Sequence, residues 1–530
     1  MLNTDSIPLT QQARITRRHL VLSSGILVVS RCLVAVAGFV VTVIIAARFG
    51  ADVETDAYFV ARLIPVGLWI ALGNALNVSF IPAYKRTLTE DGKGAAARLA
   101  SDFLNLILWI SLALALAYIF FADRIIPVLA PGFPADTQRL AVTLAQIMAC
   151  AMVFLGLYGV LDSILNAGHR YILSALGSLW RPIGALVGVL VLADFWQMPG
   201  VAIGVLVGAA LQFVTVVPGM KGKLARKFIS VDLRNPRLKE ALKRLAIVLL
   251  VVGTGQINYI VDRAIASLAG EGAVSVFGFG SALISVFPLL VAMPVYKVLY
   301  PEMLHLVAAA DREKLRELFS WNLFLVALIT FPITAAFICF SIPATELAFQ
   351  HGRFSAVAVA QTATVIMFLS TTLYPTISCI LATYYFLATN RARLLLYLMV
   401  LSILLNAGTG YVLMLIMGVA GVALSSSLGA MVRLGIILVF LGKAIGGLGG
   451  ARLISPLAKV AVAAALTGTT LHFAARWLVT VINSSGTCGQ IVQGSGFAIV
   501  GLAMYLSLNA LLGNDQMLVL VKMVKNNFKI

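Results

Sequence analysis

The sequence predicts an all-α polytopic membrane protein with fourteen transmembrane helices, and three observations support this fold class. Of the 530 residues, 61% are hydrophobic and only 11% are charged, whereas soluble domains carry about 25% charged residues. The hydrophobic residues form continuous runs of roughly 20 residues, which is the length that crosses a bilayer as a helix. Because these runs lack the alternation typical of strands, we expect helices rather than a barrel.

The apolar runs define fourteen predicted spans, numbered in chain order. Their approximate cores are 22–47, 58–81, 104–122, 140–165, 172–193, 200–219, 245–268, 274–299, 320–342, 357–386, 394–417, 419–441, 456–480 and 493–513. Loops after even-numbered spans are basic, as in "YKRTLTEDGKGAAAR", whereas loops after odd-numbered spans, such as "GADVETD", are not. Cytoplasmic loops carry the excess Lys and Arg, so both termini are predicted to be cytoplasmic. The +18 net charge therefore needs no nucleic-acid partner.

The chain also repeats itself after about 220 residues. "APGFPADTQRLAVTLAQIM" (130–148) resembles "QHGRFSAVAVAQTATVIMF" (350–368), and "GVAIGVLVGAALQ" (200–212) resembles "GVAGVALSSSLGA" (418–430). Six spans repeat as six, which predicts two six-helix lobes related by a pseudo-two-fold axis along the membrane normal. The predicted domains are an N-lobe at 1–220, a basic cytoplasmic linker at 221–244, a C-lobe at 245–444, and two further helices with a cytoplasmic tail at 445–530.

Motifs of catalysis are missing from the sequence. It contains no GxxxxGK[ST] phosphate loop and no HExxH motif, so we expect neither ATP hydrolysis nor an enzyme. The five cysteines lie far apart, which gives no sign of a metal or disulfide framework. Two similar lobes usually hold a substrate between them and work by alternating access. The sequence therefore predicts a transporter without a resident cofactor, driven by the membrane potential or by a coupled cation such as Na⁺ or H⁺.

Polar residues inside the predicted spans are the candidates for a binding site, because a charge at mid-bilayer is costly and usually faces protein or a water-filled cavity. At 100° per residue, Arg62, Trp69, Gly73 and Asn77 form one polar stripe, and Gln256, Tyr259 and Arg263 form another. The candidate substrate-binding residues are Arg31, Arg62, Asn74, Asn77, Arg181, Gln256, Arg263 and Lys297. The candidate cation-coupling residues are Asp162 and Asp262.

These residue types predict a cationic cavity for an anionic head group, since a guanidinium grips phosphate oxygens at two points. Arg31 and Arg181 lie near the middle of their spans, too deep to snorkel easily. Other interpretations stay open for the remaining candidates. Arg62, Arg263 and Lys297 are also close enough to helix ends to snorkel. Asp262 can pair locally with Arg263, and Asp162 can hydrogen-bond between helices.

The stretch "ARFGADVETDAYFVARLIP" (47–65) and the later "SLAGEGAVSVFGFGSALISVFPLLVAMPVYKVLYPEM" (267–303) resemble the MurJ (MviN) family of lipid II flippases. That family belongs to the multidrug/oligosaccharidyl-lipid/polysaccharide exporter superfamily. The similarity continues in order along nearly the whole chain, through "SILNAGHRYILSALGSLWRP", "LAFQHGRFSA" and "GVAGVALSSSLGA". The resemblance implies a fourteen-helix flippase fold.

The sequence also departs from the family's pattern. Ala46, Phe49, Gly50 and Thr55-Asp56-Ala57 match, and Arg62 stands where the family has a basic residue. The departures are Val41-Thr42 in place of Arg-Asp, Leu68-Trp69 in place of a double arginine, Gly73-Asn74 in place of Glu-Gly, and Gly280-Ser281-Ala282 in place of Ala-Asp-Arg. Three sets of family arginines thought to grip the diphosphate are therefore missing. Arg31 and Arg181 are candidates for relocated phosphate contacts.

The predicted function is a flippase of the bacterial inner membrane that moves a polyprenyl-diphosphate-linked glycan from the cytoplasmic to the periplasmic leaflet. The glycan is either lipid II, the peptidoglycan precursor, or an exopolysaccharide repeat unit. The expected partners are this lipid-linked glycan and membrane lipid, and the oligomeric state is open. One alternative is a drug or cation antiporter of the same superfamily, although cationic residues outnumber acidic ones within the spans. Another alternative is a non-transporting scaffold for glycan assembly, which would not need buried arginines.

Overall fold

Fourteen helices make up the computed structural model, which describes residues 30–224, 231–389, 391–448, 450–481, 487–514 and 516–517. They are α1 (Ser30–Phe49), α2 (Val53–Glu90), α3 (Gly92–Leu129), α4 (Ala135–Ala167), α5 (171–196), α6 (198–216), α7 (Pro236–Ser267), α8 (Ala273–Ala308), α9 (Arg312–Phe349), α10 (Ala356–Ala388), α11 (Ala392–Met417), α12 (Val419–Ile445), α13 (Ala451–Val481) and α14 (Thr487–Leu511). Gln197, with φ 50° and ψ −132°, separates α5 from α6.

The helices confirm the predicted membrane architecture. Twelve stretches of the described chain are long and apolar enough to cross a membrane. One of them, Tyr171–Met220, contains both α5 and α6, and the shorter apolar stretch Ile499–Leu511 lies in α14. Each of the fourteen predicted spans therefore corresponds to a helix, and the chain is a multi-pass membrane protein.

The chain divides into two compact units. Unit 1 contains Met1–Ile44 and Ala57–Ile260, and unit 2 contains Ile45–Asp56 and Val261–Ile530. In unit 1, the largely buried α4 packs against α2, α3 and α6. In unit 2, α9 packs against α10 and α13, and α11 packs against α12. The lobe boundaries expected at 220, 245 and 444 stay predictions.

Asp56, in the family-like segment at the first turn of α2, has a structural role within unit 2. The buried carboxylate of Asp56 accepts hydrogen bonds from the backbone N–H groups of Gly272 (2.8 Å) and Ser275 (2.6 Å), and from the Ser275 hydroxyl. Gly272 is the N-cap of α8 and has a φ of 77°. Asp56 thus satisfies free N–H groups at the start of α8, where a negative charge is favourable.

A glycine stripe holds α5 against α6 in unit 1. On α6, Gly200, Gly204 and Gly208 recur at every fourth residue. A β-carbon at Gly204 would lie 2.4 Å from the Gly184 carbonyl oxygen, and one at Gly208 would lie 3.2 Å from the Arg181 Cα atom. The two backbones can approach this closely only because small residues face each other, as is common between membrane helices. The stripe therefore fixes the part of α5 that carries Arg181.

Replacing Gly204 with Ala is expected to destabilise the protein, because the new methyl group overlaps backbone atoms of α5, which cannot rotate away. Overpacking of this kind costs about 1–3 kcal/mol. Thermal unfolding of the purified protein in detergent measures the effect. The matched control is Gly435→Ala on α12, where no atom lies within 4 Å of the added β-carbon. Equal unfolding temperatures for the two variants would contradict the close packing of α5 and α6.

Candidate functional site

A cavity of about 120 Å³ lies inside unit 1, among α1, α2, α5 and α6. It is smaller than pockets for drug-sized ligands, which measure about 300–1,000 Å³. The lining residues are Val34, Gly38, Val41, Thr42, Tyr58, Arg62, Val66, Ile70, Arg181, Pro182, Ala185 and Val205. Two of these residues are charged, and both are arginines. The lining thus has a net positive charge within a largely apolar wall.

A π-helical turn in α2 positions Arg62. The carbonyl oxygen of Arg62 accepts hydrogen bonds from both Val66 N (3.1 Å) and Gly67 N (3.3 Å), and the π turn covers Leu63–Leu68. Pro65, which has no N–H group, lies within this turn. Such turns insert extra backbone into a helix and often occur at functional sites. The turn rotates the side chains that follow it around the axis of α2. As a result, Val66 and Ile70 line the cavity together with Arg62, whereas Trp69 is buried outside the cavity lining.

Aromatic rings hold the Arg62 guanidinium at the cavity. Its Cζ atom lies 5.5 Å from the Tyr58 ring centroid and 6.0 Å from the Phe59 ring centroid. Cation–π contacts of this kind stabilise the charge but leave the N–H donors unused. No hydrogen bond or ion pair joins the Arg62 side chain to any described residue. Its donors are therefore available to an anion.

Arg181 enters the same cavity from α5. Its partly buried guanidinium likewise forms no hydrogen bond or ion pair within the described part of the chain. The positive charges of Arg181 and Arg62 are close enough to repel each other. Because the lining contains no carboxylate, this repulsion in a poorly solvated site is uncompensated. Chemically, the arrangement is suited to binding an anion between two forked donors.

A second polar cluster in unit 1 surrounds Asp162. Its buried carboxylate accepts hydrogen bonds from Asn77 Nδ2 (3.3 Å), Asn166 Nδ2 (3.0 Å) and the Tyr158 hydroxyl (3.4 Å). The Ser174 hydroxyl donates to the same carboxylate. The structure thus places the predicted residues Asn77 and Asp162 together, in a network that joins α2, α4 and α5.

Three other predicted residues belong to unit 1. Arg31 on α1 is exposed, and its charge is close enough to Asp162 to stabilise the carboxylate. Gln256 on α7 lies beside the π turn of α2, with Oε1 3.3 Å from the position that a β-carbon on Gly67 would take. Asn74 is exposed on α2. Their roles in substrate binding stay predictions.

The remaining predicted residues belong to unit 2. Arg263 is fully buried, donates to Ser281 Oγ at 3.2 Å, and lies over the Phe277 ring at 5.5 Å. Asp262 is also buried and accepts a hydrogen bond from Asn406 Nδ2 at 2.7 Å. Lys297 is in α8, but its side chain lies outside the described residues. Gln256 and Arg263 lie on the same helix, α7, although Gln256 belongs to unit 1 and Arg263 to unit 2. Their shared polar stripe stays a prediction.

Two cavity residues, Thr42 and Tyr58, were not predicted from the sequence. Thr42 lines the cavity from α1 and donates its hydroxyl to the Gly38 carbonyl at 3.0 Å. Tyr58 precedes Arg62 by four residues, so its helical spacing was a usable signal for a shared face. Thr42 lies in a long apolar run, and nothing in the local pattern distinguishes it from a packing residue.

The comparisons with known proteins agree with this fold. The family model described as "Lipid II flippase MurJ" matches residues 45–485. Lipid II flippase MurJ from Burkholderia cenocepacia is 28% identical over 355 residues, which cover 65% of this chain and 68% of the relative. A probable lipid II flippase MurJ from Synechocystis sp. is 27% identical over 363 residues, covering 66% of this chain and 68% of the relative.

Solved structures show the same arrangement of helices. The lipid II flippase MurJ in an inward closed conformation matches 93% of this chain and 99% of its own, with a TM-score of 0.77 and 20% identity. An inward-facing multidrug resistance MATE transporter matches 79% of this chain and 96% of its own, with a TM-score of 0.67 and 16% identity. At these identities the likeness establishes the fold, and the family match confirms the resemblance found in the sequence.

Proposed function

The chain belongs to the MurJ family of lipid II flippases, and from this premise we propose that it moves a polyprenyl-diphosphate-linked glycan across a bacterial inner membrane. The observation that carries the proposal is the cavity of unit 1, in which Arg62 and Arg181 have no anionic partner among the described residues. A diphosphate supplies the missing negative charge and enough acceptor oxygens for both guanidinium groups. The prenyl chain remains in lipid while the head group passes the membrane.

The departures from the family's motifs support a relocated phosphate site. Val41 and Thr42 stand where the family has Arg-Asp, and both line the cavity that Arg181 enters from α5. The positive charge lost from α1 is thus replaced by a guanidinium from a neighbouring helix. Of the two candidate replacements, Arg181 has this position, whereas Arg31 lies close to Asp162.

The cavity selects the diphosphate and leaves the choice of glycan to other parts of the protein. A volume of about 120 Å³ suits a phosphate-sized group better than a sugar unit. Lipid II and an exopolysaccharide repeat unit share the diphosphate, so both fit the proposal. A drug or cation antiporter would favour carboxylates in such a cavity, and a scaffold would not need unpaired intramembrane charges.

We also propose the orientation and the mode of action. Both termini are cytoplasmic because the basic loops lie on one side, and the protein is a transporter rather than an enzyme.

Alternating access exposes the head group first to the cytoplasm and then to the periplasm. The membrane potential contributes about 2.3 kcal/mol per charge for each 100 mV. A cation bound at one of the buried carboxylates, Asp162 or Asp262, is the proposed second source of energy.

Neutralising both cavity arginines in the double variant Arg62→Gln/Arg181→Gln is expected to abolish flipping. Hydrogen bonds to charged groups contribute about 1.5–3 kcal/mol each, so each substitution should reduce transport by about tenfold or more. The assay uses proteoliposomes with a fluorescent prenyl-diphosphate glycan and a membrane-impermeant quencher. Arg139→Gln, an exposed residue on α4, is the matched control. Transport within about twofold of the wild type, with normal membrane insertion, would refute the cavity as the diphosphate site.

Cation coupling is tested by Asp162→Asn and Asp262→Asn in the same proteoliposomes, with an imposed sodium or proton gradient. Removing the charged ligand of the cation should make the flipping rate independent of that gradient, while transport driven by the membrane potential remains. Asp136→Asn, an exposed carboxylate at the start of α4, is the control. If both buried-carboxylate variants keep the full gradient dependence of the wild type, neither residue binds the coupling cation.

A further inference from the structure

A second basic cluster lies in unit 1, outside the cavity, where the loop between α4 and α5 meets the segment that follows α6. Its central residue is Lys223, whose Nζ atom is buried and has no hydrogen-bond partner within the described chain. The Arg170 side chain reaches the same segment and donates from Nη1 to the Gly219 carbonyl at 3.4 Å. An ammonium group held out of water without an acceptor is costly, so this lysine requires an explanation.

The loop is shaped to leave room for the ammonium group. A β-carbon on Gly168 would lie 2.8 Å from Lys223 Nζ, so any larger residue at this position would push the side chain away. The backbone of Lys223 is fixed by its N–H bond to the Met220 carbonyl at 2.9 Å. The space beside Gly168 therefore holds the end of a lysine whose backbone is anchored nearby.

Electrostatics at this cluster favour an anion. Burial lowers the pKa of Lys223, and the positive charge of Arg170 lowers it further. The helix α5 begins at Tyr171, directly after its N-cap residue Arg170, whose side chain makes no cap hydrogen bond. A helix N-terminus carries a partial positive charge and offers N–H donors to anions. The two side-chain cations thus lie close together beside the loop that joins the C-terminus of α4 to the N-terminus of α5.

The neighbouring surface is apolar. Ile172 and Leu176 are exposed one turn apart on α5, and Val214 and Val217 are exposed at the end of α6. The loop distribution of Lys and Arg predicts that these helix ends face the cytoplasm. Basic pockets beside lipid-facing helices on the cytoplasmic side are suited to phospholipid head groups.

We propose that Arg170, Lys223 and the first turn of α5 form a binding site for a phosphate-class anion, supplied by a lipid head group of the cytoplasmic leaflet or by soluble phosphate. The site shares no residue with the lining of the transport cavity, so it goes beyond the proposed function. The anion accepts hydrogen bonds from the ammonium group, the guanidinium and the free N–H groups of α5. The Lys223 ammonium group thereby gains a partner that no described residue provides.

The test measures binding of two probes to the purified full-length protein in detergent: a short-chain phosphatidylglycerol and inorganic phosphate, with a short-chain phosphatidylcholine as the zwitterionic reference. Lys223→Gln and Arg170→Gln are each expected to weaken binding by about tenfold or more. Lys221→Gln, an exposed lysine two residues away, is the matched control and should bind as the wild type does. Binding of phosphatidylglycerol alone identifies a lipid head group, and binding of inorganic phosphate as well identifies the phosphate group itself as sufficient.

The variant Gly168→Ala provides an independent test of the same binding site, because this substitution changes no charge. The added methyl group occupies the space next to Lys223 Nζ and should weaken binding as the glutamine variants do, while the thermal unfolding profile stays close to that of the wild type. Unchanged affinity in Gly168→Ala and in both charge variants, or equal affinity for phosphatidylcholine, would overturn the proposal. The flipping assay with the Arg62→Gln/Arg181→Gln variant tests the transport cavity and not this site, because those two residues lie outside it. Failure of one proposal can therefore be distinguished from failure of the other.

Discussion

Two like charges held in one small cavity are the constraint on which the rest of this structure depends. Arg62 and Arg181 come from different helices, lie close enough to repel each other, and meet no carboxylate in the cavity lining. In a membrane such a pair is unfavourable without an anion. The arrangement is therefore chemically suited to a negatively charged ligand, because the guanidinium donors are already in place.

Local backbone features keep the two arginines in position. The π turn that contains Pro65 sets the direction of Arg62, and the Tyr58 ring supports its guanidinium. On the opposite side, the glycine stripe of α6 presses against the backbone at Arg181. Neither the π turn nor the glycine stripe contributes a charge or a hydrogen-bond donor to the ligand. Their effect is to prevent the arginines from relaxing into lipid or towards distant acceptors.

The sequence predicted the fold well because hydrophobic length and loop charge determine the helices of a membrane protein. It also identified both cavity arginines, since charge inside an apolar span is conspicuous. It could not predict the cavity face of α2, because even spacing at 100° per residue does not include a π turn. The sequence also could not place Asn77 beside Asp162 or Arg263 over Phe277, because these contacts depend on tertiary packing rather than on helical spacing.

The most direct measurement of the central idea is a binding titration with farnesyl diphosphate, which carries a prenyl-linked diphosphate without any glycan. The account predicts saturable binding to the wild-type protein that is much tighter than binding of farnesol, and loss of this difference when Arg62 and Arg181 are both replaced by glutamine. If the wild type does not distinguish the diphosphate from the alcohol, or if the double variant distinguishes them equally well, the two guanidinium groups are not the phosphate site.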